Sequence, residues 1–310
     1  MLNKPCTVDM KVCLKSLHLI NPTVLTSGVL GVSYSLMKRV EEAGAGAITT
    51  KTITKEPREG YWNPVFVDLG YGYVNAIGLR NPGVDVFREE IRRAKKIIRI
   101  PIIGSVGGRD LDEFVYVAEE MLEAGCDSLE LNLSCPHVSG YGGDIGSDVE
   151  LTSKIIKEVK SISEKPVSAK LSASHAKKNF IEKYIDAGID IIAAINTLRA
   201  MVVNIDSMTP VLSNIVGGLS GPCIRPIALA VIYDIHREFP DIPLIGVGGV
   251  EDWMSAVEMI LVGASAVGIG SAIAKKGLSI FKEIVKGLEK YMEEKGFRSV
   301  KDLTGYIHRN

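Results

Sequence analysis

The chain carries no block of like charge. Its 36 Lys and Arg against 37 Asp and Glu leave a net charge of -1, which removes the electrostatic footprint expected of a nucleic-acid or anionic-membrane binder. It also lacks a long apolar run: the uncharged stretch 259–274 is rich in Gly, Ala and Ser and too short to span a bilayer. No basic region followed by an apolar segment opens the sequence, so a soluble, cytoplasmic protein is expected. Cysteines are few and scattered. Cys6, Cys13, Cys126, Cys135 and Cys223 include no CxxC pair and no Cys/His spacing of a metal site, which argues for a reducing compartment and against a metal or cluster on this chain. No GxGxxG follows a strand, so a Rossmann-type nicotinamide site is not supported. Without a linker rich in Pro, Ser or charge, 1–310 reads as one domain.

What is present is a repeated alternation. Asn21-Pro22, Ile100-Pro101, Lys165-Pro166 and Ile242-Pro243 each open a short β-type run. Ala43-Gly44, Ala124-Gly125, Ala187-Gly188 and Val262-Gly263 each close a helical pattern and lead into another. The spacing predicts strands over 23–27, 47–52, 102–106, 128–134, 167–171, 191–196, 244–247 and 266–269, with amphipathic helices such as 115–124, 151–161 and 253–261 between them. Eight such units imply an α/β fold, a closed (β/α)8 TIM barrel. Two intervals exceed what a helix needs, 53–83 after strand two and 198–226 after strand six, and both are candidate walls over a pocket. The segment 11–19 alternates as a hairpin expected to plug the opposite end, and 278–291 reads as a packing helix.

In a barrel, polar residues at the C-terminal strand ends read as functional. The fourth strand ends in Glu130-Leu131-Asn132-Leu133-Ser134-Cys135-Pro136-His137 and runs into a glycine-rich loop, 138–146. Cys135 is either a nucleophile or proton acceptor, because a thiol ionises within reach of neutral pH, or a buried structural cysteine. Lys51 and Lys170 close apolar strands, where an ammonium needs an anionic or electron-rich partner unless it snorkels to the rim. Gly248-Gly249 and Gly270-Ser271 fit the usual phosphate site of this fold, where backbone N–H groups approach the anion, although each is also compatible with a tight turn. Phosphate at strands seven and eight with a lysine at strand five points to flavin mononucleotide (FMN) across the barrel mouth. Two other readings stay open: a flavin-free barrel using Lys170 as a Schiff-base amine, and a non-catalytic binding subunit.

Several segments together resemble the class 1 dihydroorotate dehydrogenases, over nearly the whole chain. They are Asn21-Pro22 to Ser27-Gly28, Lys51-Thr52, Asn75-Ala76-Ile77-Gly78-Leu79-Arg80-Asn81, Asn132-Leu133-Ser134-Cys135-Pro136 and Lys170-Leu171. Ile195-Asn196-Thr197-Leu198-Arg199, Gly217-Gly218-Leu219-Ser220-Gly221-Pro222 and the two glycine sites continue the match. The last segments look most like the NAD-linked branch that works with a second subunit carrying FAD and an iron-sulfur cluster. The resemblance implies flavin-dependent oxidation of dihydroorotate to orotate in pyrimidine biosynthesis. It implies FMN contacts from Ser27, Lys51, Thr52, Asn132, Lys170, Ile195, Ser220, Gly221, Gly248, Gly249, Gly270 and Ser271. Substrate contacts are implied for Lys51, Asn75, Ile77, Gly78, Leu79, Asn132, Asn196 and Thr197. Cys135 and Lys170 become the catalytic pair, and the barrel is expected to form a homodimer. One departure stands out: the family usually has Asn where this chain has His137, and at that point the flavin domain of dihydropyrimidine dehydrogenases is the closer likeness. Reduction of uracil or thymine is therefore the alternative activity.

Overall fold

Short β-branched and apolar runs flanked by Pro on one side and polar residues on the other form strands that are buried on both faces. In the computed structural model, which describes residues 8–134 and 143–309, these are β1 (Thr23–Leu25), β2 (Ala47–Thr49), β3 (Ile102–Val106), β4 (Ser128–Asn132), β5 (Val167–Leu171), β6 (Ile191–Ala194), β7 (Leu244–Val247) and β8 (Ala266–Ile269). Every one pairs in parallel with its sequence neighbours, and β8 pairs with β1, so the sheet closes into the barrel expected from the alternation. Strands three, five, seven and eight have the expected ends; the other four stop two or three residues early. Thr50 and Ile53 nevertheless continue to donate backbone hydrogen bonds to the carbonyls of Ile103 and Ser105, so the chain stays alongside β3 as far as Thr52 and beyond.

Helices cover the outside of the barrel because their apolar stripe must find a partner. Leu111–Glu123 buries Phe114, Val117, Ala118 and Met121, and its start is fixed by Asp110, whose side chain accepts from the N–H of Glu113. Trp253–Leu261 carries a reciprocal capping box between Asp252 and Ser255. The tail helix, Ile280–Lys295, ends at Gly296 in the left-handed conformation. At the start of the chain, Val12–Leu14 and Leu17–Leu19 form the expected hairpin, and its buried face joins the barrel core.

The two long intervals act together. Phe66–Asp68 and Tyr73–Asn75 come from the interval after β2, Leu198–Met201 and Val216–Ser220 from that after β6, and the four strands make one antiparallel sheet. Since both intervals follow the C-terminal ends of barrel strands, this sheet stands over the barrel mouth. Among the described residues, no helix is long and apolar enough to cross a membrane.

Candidate active site

Alternation along each barrel strand sends every second side chain into the barrel. On β4 these are Ser128, Glu130 and Asn132; on β5, Ser168 and Lys170, with Asn132 opposite Lys170 in register. Polar residues thus stack toward the C-terminal mouth and open into a cavity of about 510 Å³. Ser27, Lys51, Thr52, Asn132 and Lys170 line it from strands one, two, four and five. Ile195, Asn196 and Thr197 line it after β6, and Gly248, Gly249, Gly270 and Ser271 after β7 and β8. The sheet over the mouth adds Asn75, Ile77, Gly78, Leu79, Ser220 and Gly221. All the candidate residues that the structure describes therefore face one space. Cys135, Pro136, His137 and the start of the following loop lie outside the described residues.

Thr52 organises one wall. Its Oγ1 accepts a hydrogen bond from Asn132 Nδ2 at 3.1 Å and bonds the hydroxyls of Ser105 at 2.9 Å and Ser27 at 3.1 Å. One hydroxyl proton and two lone pairs are thereby used in full. On the opposite wall Asn196 Nδ2 donates to Ser134 Oγ at 2.9 Å and to its carbonyl at 3.2 Å, while Asn196 Oδ1 accepts from Thr197 N–H at 2.8 Å. Ser134, fully buried, is thus fixed at the point where the chain enters Cys135. Asn75 is tied to the lid sheet through a 3.4 Å bond from Nδ2 to the Gly218 carbonyl.

The turn after β7 needs glycine. Gly248 and Gly249 have φ of 135° and 74°, a region that side chains avoid. A Cβ on Gly249 would lie 2.7 Å from Arg225 Cβ and 2.9 Å from the Gly221 carbonyl oxygen. Arg225 braces this turn by donating to the Gly249 carbonyl at 3.4 Å and pairing with Glu258 at 3.0 Å. Among the described residues the N–H groups of Gly249, Gly270 and Ser271 make no backbone hydrogen bond. They are donors available to an anion, and together with two lysines and a cavity of this size they fit a phosphate-bearing planar cofactor.

Some of the site is not among the candidates named from sequence. Phe66 lines the mouth, stacking on Tyr73 with ring centroids 5.2 Å apart. Glu130 lines the cavity floor, only 3% exposed, and burial holds its carboxyl above the usual range against the attraction of Lys170. The signal for Glu130 was present: it is in phase with Asn132 in an otherwise apolar alternating run. Ser105 has no such signal, since its role depends on Thr52 across a strand pair.

Comparison with known proteins gives a consistent picture. The family profile for dihydroorotate dehydrogenase matches residues 9–292. A Pyrococcus furiosus protein named dihydroorotate dehydrogenase B (NAD(+)), catalytic subunit, is 44% identical over 303 residues, covering 97% of this chain and 100% of the relative. Proteins of the same name from Methanosarcina mazei and Thermoplasma volcanium are 43% and 42% identical, covering 95% and 96% of this chain and 94% and 98% of theirs.

Proposed function

The chain belongs to the dihydroorotate dehydrogenase family, and from that premise we propose that it oxidises dihydroorotate to orotate with FMN held across the barrel mouth. The observation that carries this reading is the convergence of Lys51, Asn75, Asn132, Lys170 and Asn196 with the two glycine turns around one cavity. The N–H groups of Gly249, Gly270 and Ser271 hold the cofactor phosphate, while Ser27, Thr52, Asn132, Lys170, Ile195, Ser220 and Gly221 surround the ring. Bound FMN supplies a two-electron acceptor for the hydride leaving C6 of the substrate.

The chain's own residues do the rest. Cys135 takes the proton from C5, and the Asn196–Ser134 clamp holds Ser134, the residue before it. Asn75, Asn132, Asn196 and Thr197 pair with ring amides and carbonyls, which holds the reacting carbons in place and removes orientation entropy from the barrier. Lys51, Ile77, Gly78 and Leu79 close the substrate end. Lys170, itself nearly buried, places a positive charge where negative charge develops.

The relatives are named as catalytic subunits of an NAD(+)-linked enzyme. We propose accordingly that this chain pairs as a dimer and passes electrons to a second subunit carrying FAD and an iron-sulfur cluster. Cofactor released by denaturation should be FMN, one per chain, and the isolated chain should reduce artificial dyes with dihydroorotate but not NAD. Recovery of FAD or of no flavin would remove the cofactor assignment. Rapid NAD reduction by the chain alone would remove the partner.

A further inference from the structure

Below the plane of Asn132 and Lys170 the barrel interior holds one carboxyl among the described residues. Glu130 precedes Asn132 by two residues on β4 and therefore lies about 6.6 Å deeper along the strand. Its register partners are Ser105 on β3 and Ser168 on β5. Neither hydroxyl serves it: that of Ser105 bonds Thr52 at 2.9 Å, and that of Ser168 donates to the Leu129 carbonyl at 2.9 Å. Glu130 Oε1 is buried with no hydrogen-bond partner among the described residues. A carboxylate so placed loses its hydration, a cost that only a close, well-satisfied ion pair can offset.

Lys170, 6% exposed, is the charged group that faces it from the adjoining strand. Among the described residues, Lys51 is the other charged one lining the cavity. The wall across the barrel offers Thr26, Ile195, Val247 and Gly268, none of which titrates. Burial outweighs the Lys170 attraction and favours the protonated carboxyl.

We propose that Glu130 is a positioning residue for the flavin reaction: by gaining or losing its own proton beside Lys170, it sets the net charge of the barrel floor beneath the cofactor ring. This rests on the FMN reading above. With the carboxyl neutral, the positive charge of Lys170 is unopposed, and a ring that has gained negative charge is favoured. With the carboxyl ionised, the two charges cancel and that gain is lost. The proton exchanges with solvent through the open mouth, and no atom passes to substrate. The same arrangement gives a fixed order of events, in which filling the cavity dries Glu130 further and holds its proton more firmly.

Two measurements on the folded chain test this. In the first, the infrared carbonyl stretch of a protonated carboxyl is followed against pH in the flavin-free chain. A band that persists above the pH at which ordinary carboxyls ionise and is missing from Glu130→Gln is expected; its absence from the wild type overturns the proposal, whatever the variant's fold. In the second, the midpoint potential of bound FMN is followed against pH. Over the range in which Glu130 ionises, the wild type should fall relative to Glu130→Gln by about 30 mV per pH unit, the tenfold-per-unit effect of one proton on a two-electron couple. Parallel curves from acid to alkaline pH overturn it. A chain that binds no flavin but shows the infrared band would defeat the FMN reading, and with it the proposed role, while confirming the buried protonated acid.

Discussion

Replacing Thr52 with Val removes one hydroxyl and keeps the side-chain shape, which isolates what that hydroxyl does. Three groups lose a partner: Asn132 Nδ2 and the hydroxyls of Ser105 and Ser27. Ser27 is half-buried and can turn to water. Asn132 faces the cavity and can also be hydrated when no ligand is bound. Ser105 is fully buried and has no such outlet. One orphaned buried hydroxyl costs about 1–3 kcal/mol, so the urea midpoint of the flavin-free chain should fall by that equivalent. The second effect is on binding, because the amide of Asn132 is no longer held toward the ring. Losing one orienting hydrogen bond of about 0.5–1.5 kcal/mol weakens orotate and FMN roughly 2- to 10-fold, read from the flavin spectrum during titration. Thr52→Ser keeps the hydroxyl, so it should bind as the wild type does and lose only about 0.8 kcal/mol for the missing methyl. If Thr52→Val matches the wild type in both stability and binding, the hydroxyl hub is not what orders this wall.

Cys135→Ala should keep its flavin but slow flavin reduction by dihydroorotate about 10²- to 10⁴-fold in anaerobic stopped flow, and the wild-type rate should rise toward alkaline pH as the thiol ionises. Lys170→Met should lower the same rate about 10²- to 10³-fold, with a fall in flavin potential measured by dye equilibration. Gly249→Ala forces a side chain into a left-handed turn against Arg225 and the Gly221 carbonyl; FMN should elute from it on gel filtration while the wild type retains it. Below neutral pH the flavin-free wild type should gain stability relative to Glu130→Gln. The sign follows from linkage: the folded state binds more protons than the unfolded one wherever Glu130 is held above its unfolded pKa, so stability is full below the unfolded value and declines as pH rises through the folded one. Urea titrations at several pH values should show that decline in the wild type alone.

The barrel was legible because its signal is periodic and redundant. Proline at strand starts and glycine at helix ends recur often enough to mark every strand, and closure follows from their number. Strand ends were overrun at β1, β2, β4 and β6, where the chain goes on past the strand with isolated cross-strand bonds, such as Thr26 N–H to Ile269 and Asn196 N–H to Leu171, but no continuing ladder. Alternation in sequence cannot tell those two states apart. The merging of both long intervals into one sheet was not legible, since it joins residues more than a hundred positions apart, such as Asn75 and Gly218. Within the site, residues with a chemical signature at a strand end were visible, whereas Ser105 and the Asn196–Ser134 clamp are defined only by contacts across strands. Glu130 lay in view but one layer below the strand end, where attention to the rim passes over it.

The central claim is that the cavity holds FMN against dihydroorotate, and anaerobic mixing of the purified, flavin-loaded chain with substrate tests it most directly. The account predicts that the oxidised flavin absorbance bleaches with dihydroorotate and that orotate appears mole for mole. Bleaching by dihydrouracil or dihydrothymine with none by dihydroorotate would contradict it.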